Sequence, residues 1–342
     1  MSDIGVVIIG RNEGDRLLRC LDAIGPVAAP IAAVVYVDSG STDGSVAAAV
    51  RAGARIVELD MTQPFTAARA RNAGRLALPP HCGYIQFIDG DCMLQPGWLA
   101  HAQSALDADD GVAAVFGRRR EIAPGASVYN WLCDVEWAVP AGPARYFGGD
   151  VMIRAAALDE AGGYPAEMIA GEEPDLAMRL RKNQHRLLCL PWEMTLHDAA
   201  IVQFGQWWRR AKRSGHAYGE LAARHRGCGF NDYRRRMLGV LFWGLVPVPA
   251  VLLVPVGLAL TNQWVGGWWL AGCGVAALAL PVLQLLRLTA QGWRSRTLSE
   301  AFSIAAFQLA VKPAQALGIG RYWLGRLAGQ RSALIEYKRT AA

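Results

Sequence analysis

The stretch Tyr84-Ile85-Gln86-Phe87-Ile88-Asp89-Gly90-Asp91-Cys92 carries the most explicit chemistry in the chain. A short apolar run bounded by turn-formers predicts a buried strand. Asp89 and Asp91 follow it, separated by a glycine that lets the backbone bend tightly. Hard oxygen ligands grouped this way suit Mg²⁺ or Mn²⁺, and such an ion would hold a diphosphate. A polar turn capping a strand is the structural alternative. Other acids stand in comparable places: Glu13, the pair Asp38 and Asp43, and the run Glu172-Glu173-Pro174-Asp175.

The elements that must position these acids follow from the apolar pattern. Residues 4–9 form a continuous β-branched run, as in a strand buried on both faces of a parallel sheet. They are too few for the apolar core of a signal peptide. Leu17, Leu18, Leu21 and Ile24 then recur at helical spacing up to Pro26. Residues 33–37, 55–59 and 112–116 read as further strands. Helices are expected at about 45–52, 67–78 and 96–107, the second stopped by Pro79-Pro80. Strand–helix alternation of this kind predicts an α/β fold with a doubly wound, mostly parallel sheet. Ligands of such sheets sit at the carboxyl ends of the strands. Glu13, Asp38, Asp43, Asp89 and Asp91 all follow strands directly, so they are expected to meet in one crevice.

Gly-x-Gly-x-x-Gly is absent after the first strand, and no Gly-x-x-x-x-Gly-Lys-Ser/Thr loop occurs. Both absences argue against hydride transfer on a dinucleotide and against a P-loop NTPase. The seven cysteines are scattered without a Cys-x-x-Cys pair. That pattern points to a reducing compartment and away from a disulfide or zinc framework.

Taken in order, the motifs resemble those of family 2 glycosyltransferases with the GT-A fold. They are Val7-Ile8-Ile9-Gly10-Arg11-Asn12-Glu13, Val37-Asp38-Ser39-Gly40-Ser41-Thr42-Asp43-Gly44-Ser45, Ala70-Arg71-Asn72-Ala73-Gly74, Phe87-Ile88-Asp89-Gly90-Asp91, Gly148-Gly149-Asp150-Val151-Met152-Ile153-Arg154 and Gly171-Glu172-Glu173-Pro174-Asp175-Leu176-Ala177-Met178-Arg179-Leu180. The likeness covers about residues 4–200. It implies that Glu13, Asp38 and Asp43 face the donor nucleoside, and that Arg71, Asn72 and Asp89 line the donor site. It implies that Asp91 bridges a Mg²⁺ or Mn²⁺ ion to the diphosphate, with His197 completing the metal sphere. Gly148, Gly149 and Glu172 would line the acceptor side. The family's general base stands where this chain has Glu173, one methylene longer than the usual aspartate. Structural alternatives accompany these roles. Glu13 suits the first turn of a helix, and Asp43 suits a helix cap.

The composition changes after residue 202. The chain has 342 residues, 53% of them hydrophobic and 19% charged, with a net charge of +6. Gln206-Trp207-Trp208-Arg209-Arg210 opens a basic, tryptophan-bearing stretch suited to the headgroup level of a bilayer. Nucleic acid would also explain a basic helix, but the uncharged runs 237–261 and 264–286 that follow favour a membrane. These runs predict a transmembrane hairpin. Arginines flank its entry (Arg234, Arg235, Arg236) and its exit (Arg287, Arg294, Arg296), so both ends are expected on the cytoplasmic side. Residues 298–319 are apolar but contain Glu300, Lys312 and Pro313, and are expected to lie along the membrane.

The expected layout is therefore a catalytic domain at 1–202, a basic interfacial segment at 203–236, a hairpin at 237–288, and interfacial helices with a basic tail at 289–342. The expected activity is inverting transfer of a single sugar. The donor would be a nucleotide-diphospho-sugar, with a lean to uridine. The acceptor would be a lipid or lipid-linked glycan at the cytoplasmic face of the inner membrane. Gln206 to Arg210 only partly resembles the Gln-x-x-Arg-Trp motif of processive synthases. Rival readings are a polyprenyl-phosphate sugar synthase, a sugar nucleotidyltransferase and an inactive membrane scaffold.

Overall fold

Four parallel strands open the chain and supply the frame for Glu13, Asp38, Asp43, Asp89 and Asp91. They are β1 (Ile4–Gly10), β2 (Ile31–Asp38), β3 (Arg55–Glu58) and β4 (Tyr84–Asp89). The linking helices are α1 (Asp15–Ile24), α2 (Ser45–Arg51) and α3 (Ala67–Ala77). β1 lies between β2 and β4, and β3 extends beyond β2. Val6, Val7 and Ile8 are fully buried, because helices cover both faces of a parallel sheet. The computed structural model describes residues 4–25, 31–227, 232–245, 256, 259, 266–330 and 333–336.

Register decides what the sheet presents. Gly10 pairs with Asp38, and Ile9 pairs with Asp89. Three polar segments thus leave the sheet at one level, at its carboxyl edge. The Asp89–Asp91 turn is fixed further by Gly90, whose amide donates to the Ile9 carbonyl at 2.8 Å.

Beyond β4 the sheet becomes mixed. The next elements are β5 (Cys92–Leu94), α4 (Trp98–Asp107), β6 (Val112–Glu121), α5 (Val128–Trp137), β7 (Gly142–Ala144), β8 (Val151–Arg154), α6 (Ala155–Glu160), α7 (Glu172–Lys182) and β9 (Arg186–His197). β8 runs antiparallel between β4 and β6, and β9 runs parallel to β6. Among the described residues the order is β3-β2-β1-β4-β8-β6-β9-β5, with β7 also pairing to β9.

Two strands are longer than the apolar pattern predicts. β6 continues past Phe116 through Arg118, Arg119 and Arg120, and β9 joins the Leu187–Leu190 run to His197. Their pairing shifts register between Phe116 and Arg119, close to the point opposite Pro191 and Trp192. Arginines on one strand and a proline on the other hide this ladder from a hydrophobicity reading. The core beneath is dense. Fully buried Trp98 donates its indole N–H to Gln86 Oε1 at 2.8 Å, so this buried polar pair is satisfied. Truncating such a tryptophan costs about 3–5 kcal/mol.

The described residues divide into two compact units, one up to Gln206 and one from Trp207 onward. The whole sheet belongs to the first. The helix Phe204–Arg224 begins where Gln206 Oε1 accepts from the Val202 and Gln203 amides at 2.9 and 3.0 Å. Gln206 is therefore engaged as a cap at the position that partly resembles the processive motif.

The second unit is helical in its described residues. Within it, Phe204–Arg224 crosses Lys312–Leu327 backbone to backbone, through Gly215 against Gln315 and Gly318 against Lys212. Asp232–Leu245 packs on the same helix, through Val240 and Ile319. A continuous helix, Gly266–Gly292, precedes Leu298–Ala310. Leu298–Leu327 is long and apolar enough to cross a membrane, by length and composition. Of the expected hairpin, residues 246–255, 257, 258 and 260–265, including its tip, lie outside the described residues, as does the tail at 337–342.

Candidate active site

Arg71 is the centre of the crevice. It sits on α3, only 2% exposed, and faces three carboxylates. Its Nη2 donates to Asp89 Oδ1 at 2.9 Å. Its Nη1 lies 3.0 Å from Glu172 Oε1 and 3.2 Å from Glu173 Oε1. Burial opposes the guanidinium charge, but Glu173 and Asp89 outweigh it and raise Arg71 above its ordinary value. One buried cation therefore ties the strand-end aspartate to the acids of α7.

The start of α7 is set by a glycine. Gly171 precedes it with φ 86°, a left-handed conformation that glycine adopts without strain. Glu172 and Glu173 then occupy the first turn, where the helix dipole favours negative charge. Glu172 is buried, whereas Glu173 keeps 16% of its side chain exposed. Burial and the adjacent Glu172 carboxylate push Glu173 up to about 7, against the pull of Arg71. A carboxyl poised there both accepts and releases a proton near neutral pH.

The opposite wall is built by β8 and β6. Asp150, immediately before β8, is buried and accepts from the Asp89 amide at 3.0 Å. Its other oxygen accepts from Thr195 Oγ1 at 2.7 Å and lies 2.7 Å from Arg119 Nη2. Arg119 also reaches Asp89 Oδ2 at 3.5 Å. Asp89 is thus held between two arginines and by its own amide. Gly149 is pressed against this group: a Cβ there would lie 2.6 Å from both Arg71 Nη2 and Asp89 Oδ2. Gly148 has open space instead.

Asp91 is buried beside His197. Asp91 Oδ2 and His197 Nε2 are 3.5 Å apart, brought together because Cys92 of β5 pairs with His197 of β9. Burial lowers the His197 pKa, partly opposed by Glu121, so its ring is neutral near neutral pH. A carboxylate oxygen and an imidazole lone pair form a donor set suited to Mn²⁺, and to Mg²⁺ more weakly. Cys92 Sγ is near enough to join them. Burial and Asp150 push its thiol up, so it stays protonated and donates to Asp91 Oδ1. The residues fit a divalent ion at Asp91 and His197.

The donor-side residues are divided. Asp43 Oδ2 accepts from the Gly14 amide at 3.0 Å, and Oδ1 accepts from the Ser45 amide at 3.0 Å. Burial works against its ionisation, but the bonds from Ser45 and Gly14 win and hold its carboxyl below the usual range. Glu13 pairs with Arg16 at 3.0 Å and packs its stem near Gly90. Asp38 is buried, and its oxygens accept from Tyr36 Oη, Gly40 N and Ser41 N at 3.1, 2.9 and 2.8 Å. Its geometry shapes the 38–41 turn. Asn72 clamps Tyr164 with both ends of its amide, at 2.7 and 2.8 Å. It therefore fixes the loop before α7, next to Arg71 rather than at the crevice floor.

Two residues of the site, Arg119 and Glu121, escaped the sequence reading, and Asp150 stood in a quoted motif without a role of its own. Arg119 and Glu121 stand two apart on one strand, so they share a face. Asp150 follows the Gly148-Gly149 pair directly. Those spacings were the available signals.

Residues 5–139 match the family model of Glycosyl transferase family 2. The matched segment contains Glu13, Asp43, Arg71, Asp89 and Asp91, and the mixed, mostly parallel sheet is that of the GT-A fold. That part of the chain resembles a family 2 glycosyltransferase domain. Among solved structures it is similar to the mannosyltransferase PcManGT from Pyrobaculum calidifontis in complex with GDP-Man and Mn²⁺. That likeness has 20% identity and a TM-score of 0.57, covering 92% of this chain and 87% of that one. S. aureus TarS 1-349 is similar at 14% identity and a TM-score of 0.52, covering 96% and 92%. Glucosyl-3-phosphoglycerate synthase from Mycobacterium tuberculosis, in complex with phosphoglyceric acid, follows at 18% identity and 0.50, covering 65% and 80%. At these identities the likeness concerns the fold. No curated protein matches the chain.

Proposed function

We propose that the chain transfers a single sugar, with inversion, from a nucleotide-diphospho-sugar to a hydroxyl of a membrane lipid or lipid-linked glycan. The observation that carries this reading is the shared guanidinium of Arg71, which holds Asp89 at 2.9 Å and Glu173 at 3.2 Å. A donor-side acid and a candidate base are thereby kept at one fixed separation. Glu173 takes the proton of the acceptor hydroxyl as its oxygen attacks the anomeric carbon, and a value of about 7 suits that exchange. Arg71 orients the Glu173 carboxylate and limits its basicity. Asp91 and His197 would hold Mn²⁺ or Mg²⁺, which when bound neutralises charge developing on the leaving nucleoside diphosphate. Arg119 and Asp150 keep Asp89 aimed at the donor.

The membrane part of the reading rests on the second unit. Trp293, Leu298 and Phe302 are exposed, with Arg294 and Arg296 between them. Exposed aromatic and aliphatic side chains next to arginines suit the interface of a bilayer. Nucleotide sugars are cytoplasmic substrates, so the transferase domain belongs on that side, at the inner membrane.

A donor screen on membranes containing the protein tests the proposal. With Mn²⁺ present, one nucleotide sugar releases nucleoside diphosphate and labels a lipid-extractable product. Release of pyrophosphate would favour a nucleotidyltransferase. Label in long polymer from donor alone would overturn single-sugar transfer.

A further inference from the structure

Glu121 ends β6 directly opposite His197 at the end of β9. It is fully buried, and three N–H groups converge on it. Oε1 accepts from the Asn130 side-chain amide at 3.2 Å and from the Ala123 amide at 3.3 Å. Oε2 accepts from the Ala199 amide at 3.0 Å. Three donors on its two oxygens hold this carboxyl in a fixed orientation. Oε2 also lies 3.7 Å from His197 Nδ1. That nitrogen is buried and has no hydrogen-bond partner of its own. The other ring nitrogen, Nε2, faces Asp91 Oδ2 at 3.5 Å. Trp137 stands edge-on to the ring, with centroids 4.6 Å apart, and restricts its rotation.

We infer that Glu121 is the positioning residue for His197. It accepts the Nδ1 proton and so leaves the Nε2 lone pair pointing to the space beside Asp91, where the proposed ion binds. The inference rests on the reading of His197 as a metal ligand and deepens it. A neutral imidazole carries one N–H. Placed on Nδ1, it meets an acceptor that is already fixed. Placed on Nε2, it leaves Nδ1 and Oε2 facing each other as two acceptors in a dry interior, an arrangement that costs free energy. The present separation exceeds a hydrogen bond by roughly 0.7 Å, a gap that a small turn of the ring closes. Metal-bound histidines are commonly oriented through their second nitrogen in this way. The sheet supplies the partner here by register alone, because β6 and β9 run in parallel and end together.

The test uses the full chain, labelled with ¹⁵N-histidine in detergent. His197 is assigned by the loss of its signals in H197Q. The expected wild-type spectrum has a protonated Nδ1 and an unprotonated Nε2, with Mg²⁺ moving Nε2 alone. In E121Q the tautomer preference is lost, and the dissociation constant for Mn²⁺ rises about 10–100-fold. E121D is expected to restore part of that loss. An Nε2–H tautomer in the wild type overturns the inference even if E121Q does not fold. Unchanged Mn²⁺ affinity in folded E121Q overturns it while leaving His197 as a ligand. If the metal moves neither nitrogen and H197Q binds Mn²⁺ like the wild type, the metal reading falls and this inference with it.

Discussion

Glu173 is the proposed base, and its neighbours fix both the position and the proton affinity of its carboxyl. Arg71 grips its Oε1, while Glu172 and burial raise it to about 7. The pH dependence follows with a definite sign. Glu173 acts as a base only when ionised, so kcat/KM is expected to fall about tenfold per pH unit below roughly 7. An acid limb breaking near 4.5 would remove Glu173 as the base. The raised value also bears on stability. Holding this carboxylate ionised in the fold is unfavourable above pH 7, where the unfolded chain ionises it freely. E173Q is therefore expected to melt no lower than the wild type at pH 8, which scanning calorimetry would check. The acids Asp43, Asp89, Asp91 and Glu173 were legible in the sequence because each follows an apolar run or opens an acidic helix. Asp43 accepts from the Gly14 and Ser45 amides, a tie between two strand-end loops that neither role expected for it describes. Glu121 was hidden because its meaning lies in His197, 76 residues away along the chain but adjacent in register.

At the scale of elements, the parallel half of the sheet was readable and the mixed half was not. β1 to β4 carry continuous apolar runs, and alternation with helices fixes their direction. β8 is a four-residue strand inserted antiparallel between β4 and β6, with no alternation to announce it. Yet that insertion places Asp150 against Asp89. α7 makes a further point: its start depends on Gly171 at φ 86°. G171A would strain that turn at a cost of about 1–2 kcal/mol. It would also shift Glu172 and Glu173 away from Arg71. A lower melting temperature together with a reduced kcat is expected. Unchanged kcat with a normal melt would show that the helix start tolerates movement.

At the scale of the whole molecule, a sheet-based transferase unit and a helical unit share one chain. The apolar composition behind residue 237 was plain in the sequence. Which helices cross a membrane was not, since Leu298–Leu327 satisfies length and hydropathy despite Glu300 and Lys312. Its break at Val311, between the two helical segments, also suits a pair lying along the surface. Membrane integration has a direct readout. The full chain is expected to stay with membranes through high salt and alkaline carbonate. Release by salt alone would mean attachment by the arginines rather than by apolar burial.

The most direct measurement of the central claim is sugar transfer by E173Q in a single turnover, with donor, acceptor lipid and Mn²⁺ at saturation. The expected rate is about 10²–10⁴-fold below that of the wild type. Donor binding should be preserved, because Asp89, Asp91 and His197 are untouched. A wild-type rate in E173Q would contradict the assignment of the base, and with it the mechanism built around Arg71.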